Sequence, residues 1–279
     1  MFEKFSNSWK LVKASASVLA SDRELVIFPI LSTIGVIIVT LTFAVPLFLS
    51  NFFDSVFTDK LGVMGFVVAY LFYLVQYVVI FYANTALVGA AMIRLNGGDP
   101  TVRDGFRIAN SRFGTIIGYA LIAATVGMVL KALSRRRGMV RFISSILGMA
   151  WNLATYLVVP VLAAEGLGPI AALKQSVSLL RRTWGEQIIG NFGLGLIFGI
   201  AGFLVVAAVV PIIILAANYQ SLILFIIAIG MLFLLLTILG LINSSLNGIY
   251  TAAVYQYAST GRSSAFFEDQ MVKNAFTPK

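Results

Sequence analysis

Six apolar stretches dominate this sequence, near residues 26–50, 63–93, 114–130, 143–164, 188–215 and 222–257. A helix needs about 20 apolar residues to cross the roughly 30 Å hydrocarbon core of a bilayer. Four of the stretches clearly exceed that length, the third is marginal at about 17 residues, and the last is too long for one straight crossing. The sequence predicts an all-α polytopic transmembrane helix bundle of about six spans. In the last stretch, Leu222 to Ile242 is almost wholly apolar. Asn243, Ser244 and Ser245 then open a more polar half, so a break or kink is expected there.

Composition points the same way. Hydrophobic residues make up 59% of the 279 and charged residues 11%, whereas a soluble domain carries about 25% charged residues. The formal net charge is +9. In an apolar chain, excess cations belong to positive-inside loops and anionic lipid before nucleic acid, so no nucleic-acid partner is expected. The amphipathic first 24 residues, followed by an apolar run too long for an h-region, do not read as a cleavable signal peptide.

The connecting segments set a topology. The stretches 51–62 and 216–221 are short, while 1–25, 94–113, 165–187 and 258–279 are longer and basic. With six spans the longer four share one side and hold fourteen of the 20 Lys and Arg. That side reads as the cytoplasm, with both termini on it. Lys131, Arg135, Arg136, Arg137 and Arg141 fall on the opposite side. Either this loop is an exception to the rule, the preferred reading, or spans three and four form a hairpin that does not fully cross.

Three of the basic segments share a design. Phe5, Trp9, Val12, Ala16 and Leu19 fall at helical spacing, with Lys10 and Lys13 opposite. Asp99, a good N-cap, and Pro100 open a helix with Val102, Phe106, Ala109 and Phe113 on one face and Arg103 and Arg107 on another. Gly168-Pro169 opens a third, with Ile170, Leu173, Val177, Leu180 and Trp184 against Lys174 and Arg181. Such helices lie in the membrane interface, or alternatively pack on their neighbours as cytoplasmic helices. Lys10, Lys13, Arg103, Arg107, Lys174 and Arg181 are the candidate lipid-headgroup residues.

Each of these helices precedes a pair of spans whose second member carries an Asn: Asn84, Asn152 and Asn243. The single transmembrane domain, 1–279, then reads as three diverged copies of one unit, about 1–98, 99–168 and 169–261, with a cytoplasmic tail 262–279. Asn84, Asn152 and Asn243 are the candidate polar intramembrane residues. With Gln76, Thr125, Thr155, Asn191 and Asn247 they either hydrogen-bond between helices or line a polar cavity. Gly190, Gly193, Gly195, Gly199 and Gly202 in span five suit close helix packing, within the subunit or between copies.

Chemistry is harder to find. The chain has no Cys and no His, which removes thiolate nucleophiles and metal sites and the commonest proton shuttle. All eleven acids lie outside the apolar cores, Glu165 nearest. That argues against a proton-coupled carrier and against carboxylate metal clusters. No base accompanies Ser244 or Ser245. No enzyme activity, cofactor or metal is expected.

Several motifs then carry a resemblance: Phe5-Ser-Asn-Ser-Trp-Lys-Leu-Val-Lys, Asp22-Arg-Glu-Leu with Phe28-Pro, Asn96-Gly-Gly-Asp-Pro-Thr-Val-Arg-Asp-Gly, Ala172-Leu-Lys-Gln-Ser with Thr183-Trp-Gly-Glu, and Ile249-Tyr-Thr-Ala-Ala-Val-Tyr-Gln-Tyr-Ala. Together they resemble an uncharacterised family of bacterial and archaeal six-span integral membrane proteins, a domain of unknown function. The resemblance implies the architecture, a prokaryotic plasma-membrane location and no particular activity. More loosely, the Ala-Leu-Lys-x-Ser helix is similar to one in the membrane domain of some glycerophosphodiester phosphodiesterases. The run Arg135-Arg136-Arg137 departs from the family by its basicity.

The first functional expectation is a non-enzymatic, homo-oligomeric protein that organises the membrane and binds anionic lipid. The alternatives are a passive channel or transporter for a small solute or lipid, and a membrane subunit of a larger complex.

Overall fold

A computed structural model of the chain describes residues 2–49, 62–136, 138–184, 193–267 and 272. Among them all regular structure is helical, with no strand. The helices are α1 (Phe2–Ser21), α2 (Ile27–Leu49) after a 3-10 turn (Arg23–Val26), α3 (Gly62–Leu95), α4 (Val102–Ser111), α5 (Phe113–Ser134), α6 (Met139–Thr155), α7 (Val158–Glu165), α8 (Pro169–Trp184), α9 (Gly193–Asn218) and α10 (Leu222–Thr260). Among the described residues six helical segments are long and apolar enough to cross a membrane: Arg23–Phe48, Val63–Leu95, Phe113–Ser134, Met139–Glu165, Ile197–Asn218 and Leu222–Thr260. Arg137, Gly190 and Asn191 with the rest of 185–192, and most of the tail past Phe267 lie outside the described residues.

Two helices set the layout. At 1.5 Å per residue, the 34 residues of α3 and the 39 of α10 reach about 51 and 58 Å, well past the roughly 30 Å of hydrocarbon. The surplus is where protein burial concentrates. Residues 85–91 of α3 are all buried, as are Ser245, Leu246, Ile249, Tyr250 and 252–255 of α10. Leu11 and Val18 of α1, Val161 and Leu162 of α7 and Ala172 and Leu180 of α8 join the same core. Away from that end the spanning helices show large apolar side chains outward, among them Ile38 and Phe48 of α2, Phe66 of α3, Phe203 of α9 and Phe233 of α10. A helix can leave these uncovered only where lipid replaces protein as the apolar neighbour. The core therefore sits at the basic end of the molecule, and the rest is a lipid-facing array.

Three expectations are revised. The helix over Leu222–Thr260 is unbroken at Asn243, because Ser245 Oγ donates to the Leu241 carbonyl at 2.9 Å and Asn247 Nδ2 to Asn243 Oδ1 at 2.8 Å. These side chains satisfy themselves along the helix rather than opening it. A break falls instead in the fourth span, between α6 and α7, where the Leu157 N–H donates to the buried Ser176 Oγ of α8 at 3.1 Å. Third, Thr101 rather than Asp99 caps α4. The Thr101 and Asp104 side chains each accept the other's backbone N–H, forming a capping box, while Asp99 pairs with Arg94.

The basic hairpin is long enough to cross. Lys131 lies 18 residues beyond Phe113, about 27 Å along α5. It donates to the Tyr73 hydroxyl of α3 at 2.6 Å, far from the core.

Candidate lipid-headgroup face

The end of the bundle that carries the core is built around ion pairs and caps. Arg94, near the end of α3, bonds Asp22 ahead of α2 at 3.4 Å and also Asp99. Glu24 Oε2 accepts the Val102 N–H at 3.0 Å, so an acid ahead of α2 satisfies an orphan donor in the first turn of α4. Burial pushes the Asp22 carboxyl above the ordinary range, partly countered by Arg94. Asp104 is shifted the other way, held below that range chiefly by the Thr101 hydroxyl. Sequence reading missed this network because its partners lie up to 78 residues apart.

Each amphipathic helix divides into three sectors at 100° per residue. On α1, Leu11, Ala14, Ser15 and Val18 are buried. Val12, Ala16 and Leu19 stand beside them half-covered, leading to Trp9, which is 45% exposed. Lys10 and Lys13 complete the circle, both exposed, with Lys13 Nζ 5.8 Å over the Trp9 ring. On α8, Ala172, Ser176, Leu179 and Leu180 are buried, Ile170 and Val177 are exposed, and Lys174 and Arg181 follow, exposed. On α4, Gly105 and Ala109 are buried, Val102 and Phe106 half-buried, and Arg103 and Arg107 exposed. The order around all three helices has the same sense: the packed sector, then an apolar flank left partly or wholly uncovered, then cations.

Most of each expected apolar stripe is thus a flank beside the packed face, with Ala109 and Leu180 the stripe members that are buried. The packed sectors mix small residues (Ala14, Ser15, Gly105, Ala109, Ala172, Ser176) with Leu11, Val18, Leu179 and Leu180, and close approach through the small ones suits helix packing in lipid. Packing on neighbours is met on one sector of each helix, and an adjoining sector stays partly uncovered. On α4 the flank continues into aromatic rings. Phe106 meets Phe28 edge-on at 5.3 Å and Tyr82 at 5.9 Å, and Tyr82 donates to Asn110 Oδ1 at 2.8 Å.

Behind this face, Arg112 reaches α7. Gly166 ends α7 with φ +64°, and a Cβ there would fall on the Arg112 guanidinium. Glycine permits both the left-handed cap and the approach of a cation to a helix C-terminus. Glu165 Oε1 accepts from Tyr255 at 2.8 Å and from Gln175 at 3.4 Å, so the acid nearest the membrane is held by neutral donors.

Each of the three Asn candidates lies shortly ahead of a buried stretch of its chain segment. Asn84 directly precedes the buried run of α3, Asn243 lies two residues before buried Ser245, and Asn152 five before buried Leu157. Asn84 and Asn243 are half-buried and Asn152 is exposed. Other polar groups bond across helices, Gln76 to Thr40 at 2.9 Å and Tyr70 to Thr125 at 3.2 Å. A Cβ at Gly195 or Gly199 of α9 would meet nothing within 4 Å among the described residues, whereas one at Gly202 would lie 3.8 Å from Leu239. Among the described residues no group of three or more His, Cys, Asp or Glu is placed to hold a metal.

Fold and face together define an all-α, multi-pass membrane protein with a basic, amphipathic cap at one end. Its caps, packing and charge say nothing yet of kinship. The chain belongs to a family of unknown function (DUF6159), whose model matches residues 63–266. No curated protein and no solved structure matches it, so nothing found supports the looser likeness to glycerophosphodiester phosphodiesterase membrane domains.

Proposed function

We propose that the protein is a non-enzymatic membrane-organising protein that gathers anionic lipid beneath its basic cap, which faces the cytoplasm. One observation carries this reading: α1, α4 and α8 each bury one sector against the bundle and still present an apolar flank beside a pair of cations. A helix designed only to pack on protein, with water on its other side, would have no use for exposed Trp9, Ile170 or Val177. A helix at the bilayer surface sinks that flank below the headgroups and sets its cations among the phosphates. Each Lys or Arg near such a surface contributes about 1 kcal/mol. The cytoplasmic assignment follows from the cation excess of this end.

The test is lipid enrichment around protein extracted directly into polymer-bounded discs. Changing Arg103, Arg107, Lys174 and Arg181 together to Gln is expected to lower the anionic fraction of co-purified lipid toward that of the bulk membrane. Unchanged lipid composition would reject the reading.

A further inference from the structure

An open groove of about 390 Å³ runs between α2, α3 and the junction of α4 with α5. Its bed is apolar: Leu31 of α2 and Val78, Val79 and Ala83 of α3. Phe106 and Asn110 close its upper end and also line an adjoining hollow of about 590 Å³, which Arg103 and Arg107 complete. The two form one channel-shaped depression, greasy at one end and cationic at the other. Its size lies within the range of small-molecule sites.

The electrostatics of the cationic end are open. Arg107 is shared with Asp104, but no carboxylate pairs with Arg103 among the described residues. Asn110 receives the Tyr82 hydroxyl on Oδ1, which leaves its amide N–H groups as donors. The bed lies at the depth of the upper acyl chains, since Leu31 is eight residues past Arg23, about 12 Å along the helix. An occupant must be apolar at that depth and anionic at the surface. Arginine forks favour phosphate oxygens.

We propose that this groove holds one anionic glycerophospholipid as a stoichiometric ligand, its phosphate at Arg103 and Arg107 and one acyl chain over Leu31 and Val79. The proposal rests on the reading that the basic end meets anionic headgroups. It adds a defined site to what would otherwise be a diffuse annulus.

Native mass spectrometry of the detergent-purified chain tests it, with dioleoyl phosphatidylglycerol and dioleoyl phosphatidylcholine as probes. One phosphatidylglycerol per chain is expected to survive release from detergent, with at least about tenfold preference over phosphatidylcholine. Arg103→Gln with Arg107→Gln should erase the preference. Ser32→Trp, which fills the groove, and the milder Leu31→Ala, which only trims its bed, should both weaken retention without changing the helical circular-dichroism signal. Lys174→Gln with Arg181→Gln, on α8, should leave the retained lipid in place. Equal retention of both lipids, indifference to the groove substitutions, or displacement by soluble glycerol phosphate would overturn the proposal. Bulk anionic enrichment without a retained lipid defeats the groove alone. A retained lipid without bulk enrichment defeats the broader function alone.

Discussion

At the basic end Gly105 of α4 lies close against α2 and α3, and replacing it with Val should undock α4. A Cβ at position 105 would fall on the Phe28 ring and lie 2.7 Å from the Ala86 carbonyl oxygen. Phe28 is 1% exposed and Ala86 0%, so neither can retreat. Val gains a few tenths of a kcal/mol in helix propensity over Gly. Overpacking costs about 1–3 kcal/mol, so the net shift is about 0.7–2.7 kcal/mol toward the undocked helix. That is roughly a three- to hundredfold rise in its population.

The chain has no native Cys, so Ala109→Cys, at a position 0% exposed, is a clean reporter of undocking. Maleimide labelling of that thiol should accelerate by about the same factor in Gly105→Val. Gly114→Ala makes the control, because no atom lies within 4 Å of its Cβ position and removing a helical glycine stabilises by about 0.5–1 kcal/mol. Equal labelling of Gly105→Val and the parent would refute the argument that glycine is required for contact between α4 and α3.

The same reporter reads the α4 cap as pH falls. Asp104 is held below the ordinary 3.8, so its stabilisation is complete above the unfolded value and lost as pH drops through the lower folded one. Reaction with a disulfide reagent active in acid should rise over that window in the parent, and Asp104→Asn should flatten the response. At the break between α6 and α7, Ser176→Ala strips the buried Leu157 N–H of its acceptor and should cost about 1–3 kcal/mol, read as a lowered midpoint in a detergent melt; no change would mean water replaces the hydroxyl. Self-association through the open Gly195 and Gly199 face of α9 predicts a smaller mass by light scattering for Gly199→Leu, and an unchanged mass would reject that contact.

Much of the fold is legible from the sequence because lipid-facing helices must be apolar all round, a pattern that survives without tertiary information. The start of α8 at Pro169 and the cationic faces were equally plain. What was not legible depended on distant partners. The stripe Ile170, Leu173, Val177 and Leu180 selects the largest side chains, but only Leu180 of them is buried, and the packed sector turns toward Ala172 and Ser176, whose small size is uninformative in one dimension. Asp99 reads as a cap until Arg94 claims it. Asn243 reads as a break until Asn247, one turn on, supplies its bond. The groove at Phe106 combines α2, α3, α4 and α5, and no local window holds all four.

The central claim is that the apolar flanks of the basic helices are immersed in lipid. Trp9 reports it directly once Trp151→Phe and Trp184→Phe leave it as the sole indole. In liposomes containing phosphatidylglycerol, lipids brominated high on the acyl chain should quench Trp9 strongly, and aqueous iodide should quench it weakly. Strong quenching by iodide with none from brominated lipid would place α1 in water and contradict the account.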